Sequence, residues 1–269
     1  MRSIAGQNVA EMGGRGSVLA RQKRDHIELD GLLHRLASAP AERQDAVLLD
    51  IYRLVFPHAF AEEAVLWPVI RRVLPEGHAL TLVIEREHQR INELVTELEA
   101  LEPGSPVHGE VLARIVALLR EDVRDEEDAL LPRLQDRLSA SQLRLLGAAW
   151  EFVRAIAPTR AHPIVSRRPP GNVLSALPLA LIDRGRDAVD ARLHGGAGAA
   201  KPALRSLSAA LARAAHAVER LPGMRRGEDP ATRVRLEGRA NWGAAAFLAV
   251  GLGSAALVLR SRRLARAGA

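Results

Sequence analysis

Three histidines and three acids stand at spacings that suit metal ligation. His58 and Glu62 are four residues apart, so on a helix both project from one face. A second carboxylate pair has the same spacing, Asp122 and Glu126. Imidazole and carboxylate ligands on facing helices can hold one or two ions in a bundle core. The residues come in duplicate. RDHIELDGLLHRL at 24–36 is echoed by REHQRINELVTEL at 86–98, and EEAVLWPVI at 62–70 by EEDALLPRL at 126–134, with offsets of 62 and 64. His26 therefore corresponds to His88, and Glu62 to Glu126. The repeat predicts a histidine at position 122, equivalent to His58, where the chain has Asp122. The set is His26, His58, Glu62, His88, Asp122 and Glu126. Nitrogen and oxygen donors without sulfur suit iron or manganese best, with zinc possible. Asn92, four residues after His88, is a poor ligand.

These residues must be positioned by helices. Apolar side chains recur three and four apart, as in Leu29, Leu32, Leu33 and Leu36, or Ile91, Leu94 and Leu98. Breaks at Ala39-Pro40, Pro75-Glu76-Gly77 and Pro103-Gly104-Ser105-Pro106 predict helices over 17–39, 42–74, 77–101 and 107–138. Pro57 and Pro68 should break or kink the second. A shorter fifth helix, near 141–156, starts behind Ser139 or Ser141. Long helices with short connections predict an all-α, up-down four-helix bundle. Two copied hairpins can pack with approximate two-fold symmetry, which places equivalent side chains around one axis. Glu62 with Glu63, and Glu126 with Glu127, cannot both face inward; Glu63 and Glu127 are expected behind the ligands or exposed.

At RDHIELD, HAFAEE, the EH of the third helix and EEDALLP, the chain resembles the hemerythrin-like (HHE cation-binding) family, over roughly 17–160 and including APTRAHP. The resemblance implies a four-helix bundle with a non-haem di-iron centre that binds dioxygen or related small molecules. In that picture Glu62 and Glu126 bridge two irons, and His26, His58 and His88 are terminal ligands. Asp122 departs from the family's usual histidine.

Charge divides the chain. Residues 21–155 carry 17 basic and 24 acidic side chains, and residues 156–269 carry 19 and 7. Residues 1–16 are expected to be flexible, residues 17–157 to form the bundle, and 158–172 to be a proline-rich linker. Residues 173–240 read as a basic, Ala/Arg-rich, partly helical region, with helical stretches near 173–193 and 203–221. Residues 242–259 form an apolar run. As a helix its eighteen residues span about 27 Å at ~1.5 Å per residue, just enough for a bilayer core of ~30 Å. Trp242 and flanking arginines look like interfacial anchors, and 260–269 is a basic tail. The expectation is a membrane-anchored C-terminus, with the bundle in the cytoplasm and no signal peptide. Ala249/Gly253 and Gly251/Ala255 would permit a homodimer. A nucleic-acid partner is not expected, because the arginines lack aromatic stacking partners.

The chain has no cysteine, which excludes thiolate sites and disulfides. No GxGxxG, GxxxxGK, GxSxG or HExxH pattern is present. The function that the resemblance implies is binding or sensing of oxygen, nitric oxide or iron, with iron the expected metal ahead of manganese or zinc, more in the manner of a binding protein than an enzyme. The alternatives are a peroxide- or oxygen-reducing di-iron enzyme and a metal-free membrane-tethered scaffold.

Overall fold

The computed structural model describes residues 2–196 and 198–234. Among them there is no strand. Helix α1 (Val18–Ser38) starts behind Ser17, whose Oγ accepts the Leu19 amide at 3.3 Å. Helix α2 (Ala41–Ala61) passes through Pro57 without interruption and joins α3 (Trp67–Val73) through a π-turn, Glu62–Leu66. Next come α4 (Gly77–Glu99) and α5 (Pro106–Asp125), the latter joined to α6 (Leu131–Gln135) by a second π-turn, Glu126–Leu130. Helix α7 (Ala140–Ile156) opens with a capping box between Ser139 and Gln142. Gly147 brings it against the start of α1, where a Cβ would collide with Gly16 O and sit 2.8 Å from Val18 N.

Both π-turns have one cause. Pro68 and Pro132 lack the amide that an α-helix needs, and each ring would crowd the carbonyl four residues earlier. The preceding amide reaches back five residues instead, Trp67 N–H to Glu62 O and Leu131 N–H to Glu126 O. The expected interruption at Pro68 thus takes the form of an extra residue in one turn.

Apolar side chains form two clusters with a polar layer between them. One gathers Ile4, Leu19, Trp67, Ile70, Leu131, Leu134 and Trp150. The other gathers Leu32, Leu36, Ile51, Leu94, Leu98, Ile115 and Leu119. The residues between them in sequence, 25–26, 58–63, 85–92 and 122–127, build the layer.

Two expectations need correction. Residues 1–16 are not a loose end over their described part. Ile4 and Met12 are buried in the first cluster, and Gln7 exchanges side-chain hydrogen bonds with Gln135 at 2.9 and 2.8 Å. Nor is 158–172 a flexible linker. Thr159, Arg160, His162, Val165 and Arg167 are buried, because the next helices present carboxylates to them. Helices α8 (Gly171–His194) and α9 (Lys201–Glu219) pack as a hairpin. Their own small core is Val165, Leu179, Ala215 and Val218. The basic region thus contributes four of its seven acids, Asp183, Asp187, Glu219 and Glu228, to the interior. Among the described residues no helix is long and apolar enough to cross a membrane. The run 242–259, with the anchor and dimer expected from it, lies outside the described residues.

Candidate metal centre

The polar layer collects every candidate from the sequence. Helix α1 delivers His26, α2 His58, the first π-turn Glu62, α4 His88, α5 Asp122, and the second π-turn Glu126. Five of them are buried, and Asp122 is partly exposed, at 14% of its side chain. Three Nε2 atoms converge on the acids. His26 Nε2 is 3.2 Å from Glu126 Oε2, and His58 Nε2 is 3.1 Å from Glu62 Oε1. His88 Nε2 stands 3.6 Å from Glu62 Oε2, 3.4 Å from Asp122 Oδ1 and 4.0 Å from Glu126 Oε1.

Every Nδ1 faces the other way, onto a carboxylate. His26 Nδ1 pairs with Glu127 at 2.8 Å, His88 Nδ1 with Glu63 at 3.0 Å, and His58 Nδ1 with Asp25 at 3.3 Å. A carboxylate on Nδ1 fixes the ring and leaves Nε2 as the donor toward a metal. The repeat is visible in space. The histidine of each copy pairs with the second glutamate of the other copy, His26 with Glu127 and His88 with Glu63. Glu62 and Glu63 are both buried, at 0% and 1% exposure, against the expectation that a pair cannot both face inward. In the π-turn, Glu62 aims at the centre and Glu63 at the back of His88.

The sequence reading missed Asp25 in this role. Its repeat partner Glu87 does not contact a ring nitrogen, so symmetry offered no signal. Arg154 of the fifth helix braces Asp25, Nε to Oδ2 at 3.0 Å, and lies 5.4 Å above the Trp150 ring. Trp150 in turn meets His58 edge-on at 5.3 Å. Asn92 points away from the centre: Nδ2 donates to the His88 carbonyl at 2.8 Å.

Five carboxylate oxygens in the layer, both of Glu62, both of Glu126 and Oδ1 of Asp122, are buried without a hydrogen bond. They approach Nε2 atoms, but not in hydrogen-bond alignment. Buried acceptors left in this state are costly unless a cation or proton meets them. Burial disfavours each imidazolium, yet the surrounding carboxylates outweigh it. Glu126 and Glu127 raise His26 to about 10, Glu62 and Asp25 raise His58 to about 9, and Asp122 with Glu63 raises His88 to about 10. Burial pushes the Asp122 carboxyl well above the usual range, with Glu126 and Glu62 adding repulsion against the pull of His88. Burial and Glu62 likewise raise Glu126. The layer holds protons where positive charge is needed, and a metal ion would displace them.

The donor set fits a metal. Two triads, His26–His58–Glu126 and Glu62–His88–Glu126, each bring three ligand atoms within 4.8 Å of one another, and they share Glu126. The first is richer in imidazole. The second is richer in carboxylate, with Asp122 beside it. Beside the layer lies a cavity of about 30 Å³ lined on one side by His26, His58, His88 and Asp122 and on the other by Leu29, Leu54, Phe56, Ile91, Leu119 and Val123.

Residues 17–134 match the family described as Hemerythrin HHE cation binding domain. An uncharacterized hemerythrin-like protein of Schizosaccharomyces pombe is 25% identical over 134 residues, which is 49% of this chain and 66% of that protein. The chain thus spans just under two thirds of that relative's length. No solved structure matches it. The repeat, the paired π-turns and the His–carboxylate layer all fall within the matched segment, so over residues 17–134 the chain is hemerythrin-like in sequence and in the placement of these side chains.

Proposed function

We propose that the bundle holds a non-haem di-iron centre and binds or senses a small diatomic ligand, oxygen or nitric oxide, or iron itself. The observation that carries this reading is the set of five unpartnered carboxylate oxygens facing three Nε2 atoms. His26 and His58 would hold one ion, His88 and Asp122 the other, with Glu126 and Glu62 between them. Iron, when bound, supplies a redox-active position for the diatomic ligand.

The chain's own residues set the rest. Asp25, Glu63 and Glu127 hold the imidazoles in the tautomer that leaves Nε2 free. The cavity beside the layer has the volume of about two water-sized probes, using ~10–15 Å³ for each. That volume suits a diatomic molecule and is too small for a large ligand. Asp122 makes the second ion's surroundings more anionic, which favours the ferric state there.

Residues 242–259 are proposed as the membrane anchor that keeps the bundle at a cytoplasmic surface. Recovery of the full chain entirely in the soluble fraction without detergent would overturn that part. Metal analysis of the full chain, beside a His58→Ala/Glu62→Ala variant, tests the centre. Close to two irons per chain, lost in the variant, is the expected result. No iron in a folded wild-type chain would leave the scaffold reading. Reversible optical changes on adding and removing oxygen or nitric oxide test the ligand. Sustained turnover with a reductant would favour the enzyme reading instead.

A further inference from the structure

The helix that carries His88 is gripped from outside the matched family segment. Four residues on one side of α4 and its surroundings are held by residues 159–168. Arg168 forks onto Glu85, with Nε at 3.0 Å and Nη2 at 2.7 Å from Oε2. Gln89 Nε2 donates to the Pro163 carbonyl at 3.0 Å. Asn92 Oδ1 accepts the His162 amide at 2.8 Å, while its Nδ2 holds the His88 carbonyl. Arg167 Nη1 stands 3.7 Å from Glu63 Oε1, the carboxylate that orients His88. The Arg167 guanidinium is buried. Its Nη2 donates to the His162 and Val165 carbonyls at 2.8 and 3.2 Å, so its position is set by the segment.

The segment is in turn fastened to the α8–α9 hairpin. His162 is clamped between Glu219 of α9 at Nδ1, 2.9 Å, and Asp183 of α8 at Nε2, 3.0 Å. Asp183 Oδ2 also accepts the Thr159 and Arg160 amides at 2.9 and 3.1 Å. The Arg160 side chain ties to Asp187 and Asp190, each at 2.7 Å. The Arg167 amide donates to Glu228. Charged groups buried this way are geometrically demanding: when one partner leaves, the others lose their compensation.

We infer that residues 159–168 couple the metal centre to the α8–α9 hairpin, with Arg167 and Asn92 as the positioning residues that connect Glu63 and His88 to it. The inference rests on the proposed metal centre. It makes the hairpin the element that reports the state of the centre. Coupling is reciprocal, so whatever fixes His88 also favours the docked hairpin, and undocking the hairpin loosens His88. Arg167 adds an electrostatic link. Its positive charge draws on Glu63, and without it Glu63 becomes a stronger acceptor for the His88 Nδ1 proton. The ring then donates more strongly through Nε2.

The test uses the full chain with ferrous iron added anaerobically. Amide hydrogen exchange in α8 and α9 is followed with and without the metal, in wild type, Arg167→Met, Asn92→Ala, Arg167→Lys and the exposed control Arg205→Ala. Iron content and the reduction potential are measured on the same samples. Iron is expected to slow exchange in the wild-type hairpin about 5-fold or more, the low end of ordinary coupling. Arg167→Met and Asn92→Ala should still bind iron but lose most of this dependence. Arg167→Lys should recover part of it, and Arg205→Ala all of it. The potential should move negative in Arg167→Met alone, which a merely structural loosening would not produce. Wild-type hairpin exchange that is identical with and without bound iron overturns the coupling and leaves the centre standing. A wild-type chain that binds no iron overturns both.

Discussion

Two buried clusters in this molecule use the same residue types and do different things. In the central layer, each histidine spends Nδ1 on a carboxylate and leaves Nε2 facing carboxylate oxygens that have no hydrogen bond. At the hairpin, His162 spends both nitrogens, on Glu219 and Asp183, at 2.9 and 3.0 Å. Burial is equally deep in both. What separates a candidate metal site from a structural ion pair here is whether the second nitrogens converge. Composition cannot show that, and only the packing of α1, α2, α4 and α5 around one layer does.

The largest test of this contrast removes one member from each cluster. His58→Ala/Glu62→Ala should abolish iron binding and keep the far-ultraviolet helical signal, measured on matched samples by metal analysis and circular dichroism. His162→Ala should do the reverse. It leaves Asp183 buried without its cation and Glu219 with His216 alone, at a cost of about 3–5 kcal/mol in a denaturant titration, while iron remains bound. Equal iron loss in both variants would break the comparison.

A pH series sharpens it. Burial lowers the His162 pKa, but Asp183 and Glu219 outweigh burial and raise it from 6.5 to about 10. The stability it contributes is complete below its unfolded value and fades as pH rises through about 10. Burial raises Glu219, but His162 and His216 outweigh it and hold the carboxyl at about 2 instead of 4.5. Its contribution is complete above 4.5 and fades as pH falls through about 2. Hairpin protection, read by hydrogen exchange, should therefore be flat from pH 4.5 to 6.5 and decline on both sides.

Smaller effects distinguish the supports of the centre. Asp25→Asn should weaken iron binding about 10–100-fold, the usual cost of losing a partner behind a metal-bound histidine; metal competition titration measures it. Asp122→Asn should act on the second ion alone, lowering iron from about two toward one per chain in the same metal analysis. The same change should slightly stabilise the metal-free chain in a thermal melt, since it removes one of the like charges crowding Glu62 and Glu126.

The helices that carry the centre were legible because their signals are local and doubled. Apolar spacing and the breaks gave α1 and α4 nearly to the residue, while the helix expected over 107–138 is divided into α5, the second π-turn and α6. The repeat and the four-residue spacings singled out the six residues that the layer brings together. Other features were not legible, for physical reasons. Pro68 announces an interruption, but not that the backbone absorbs it as a π-turn that lets Glu62 and Glu63 both turn inward. Asp25 looks like one more charge beside a histidine until α7 brings Arg154 onto it. APTRAHPIVSRRPPGN has the composition of a linker, and its burial depends on acids 20 to 60 residues further along the chain. Contacts that distant leave no periodicity to read.

The two π-turns also govern what the chain can lose. An α-helix advances by about 100° per residue, so deleting one residue from Glu62–Leu66 would swing everything after it by that angle. Trp67 and Ile70 would leave the first apolar cluster, while the helix before the deletion stayed in phase with the second. The same holds for Leu131 and Leu134 beyond Glu126–Leu130. Each extra residue acts as a phase shifter between the two halves of the core. Its removal would cost the chain the packing of one half as well as a carboxylate, so these segments should tolerate substitution at their outward positions far better than any change in length.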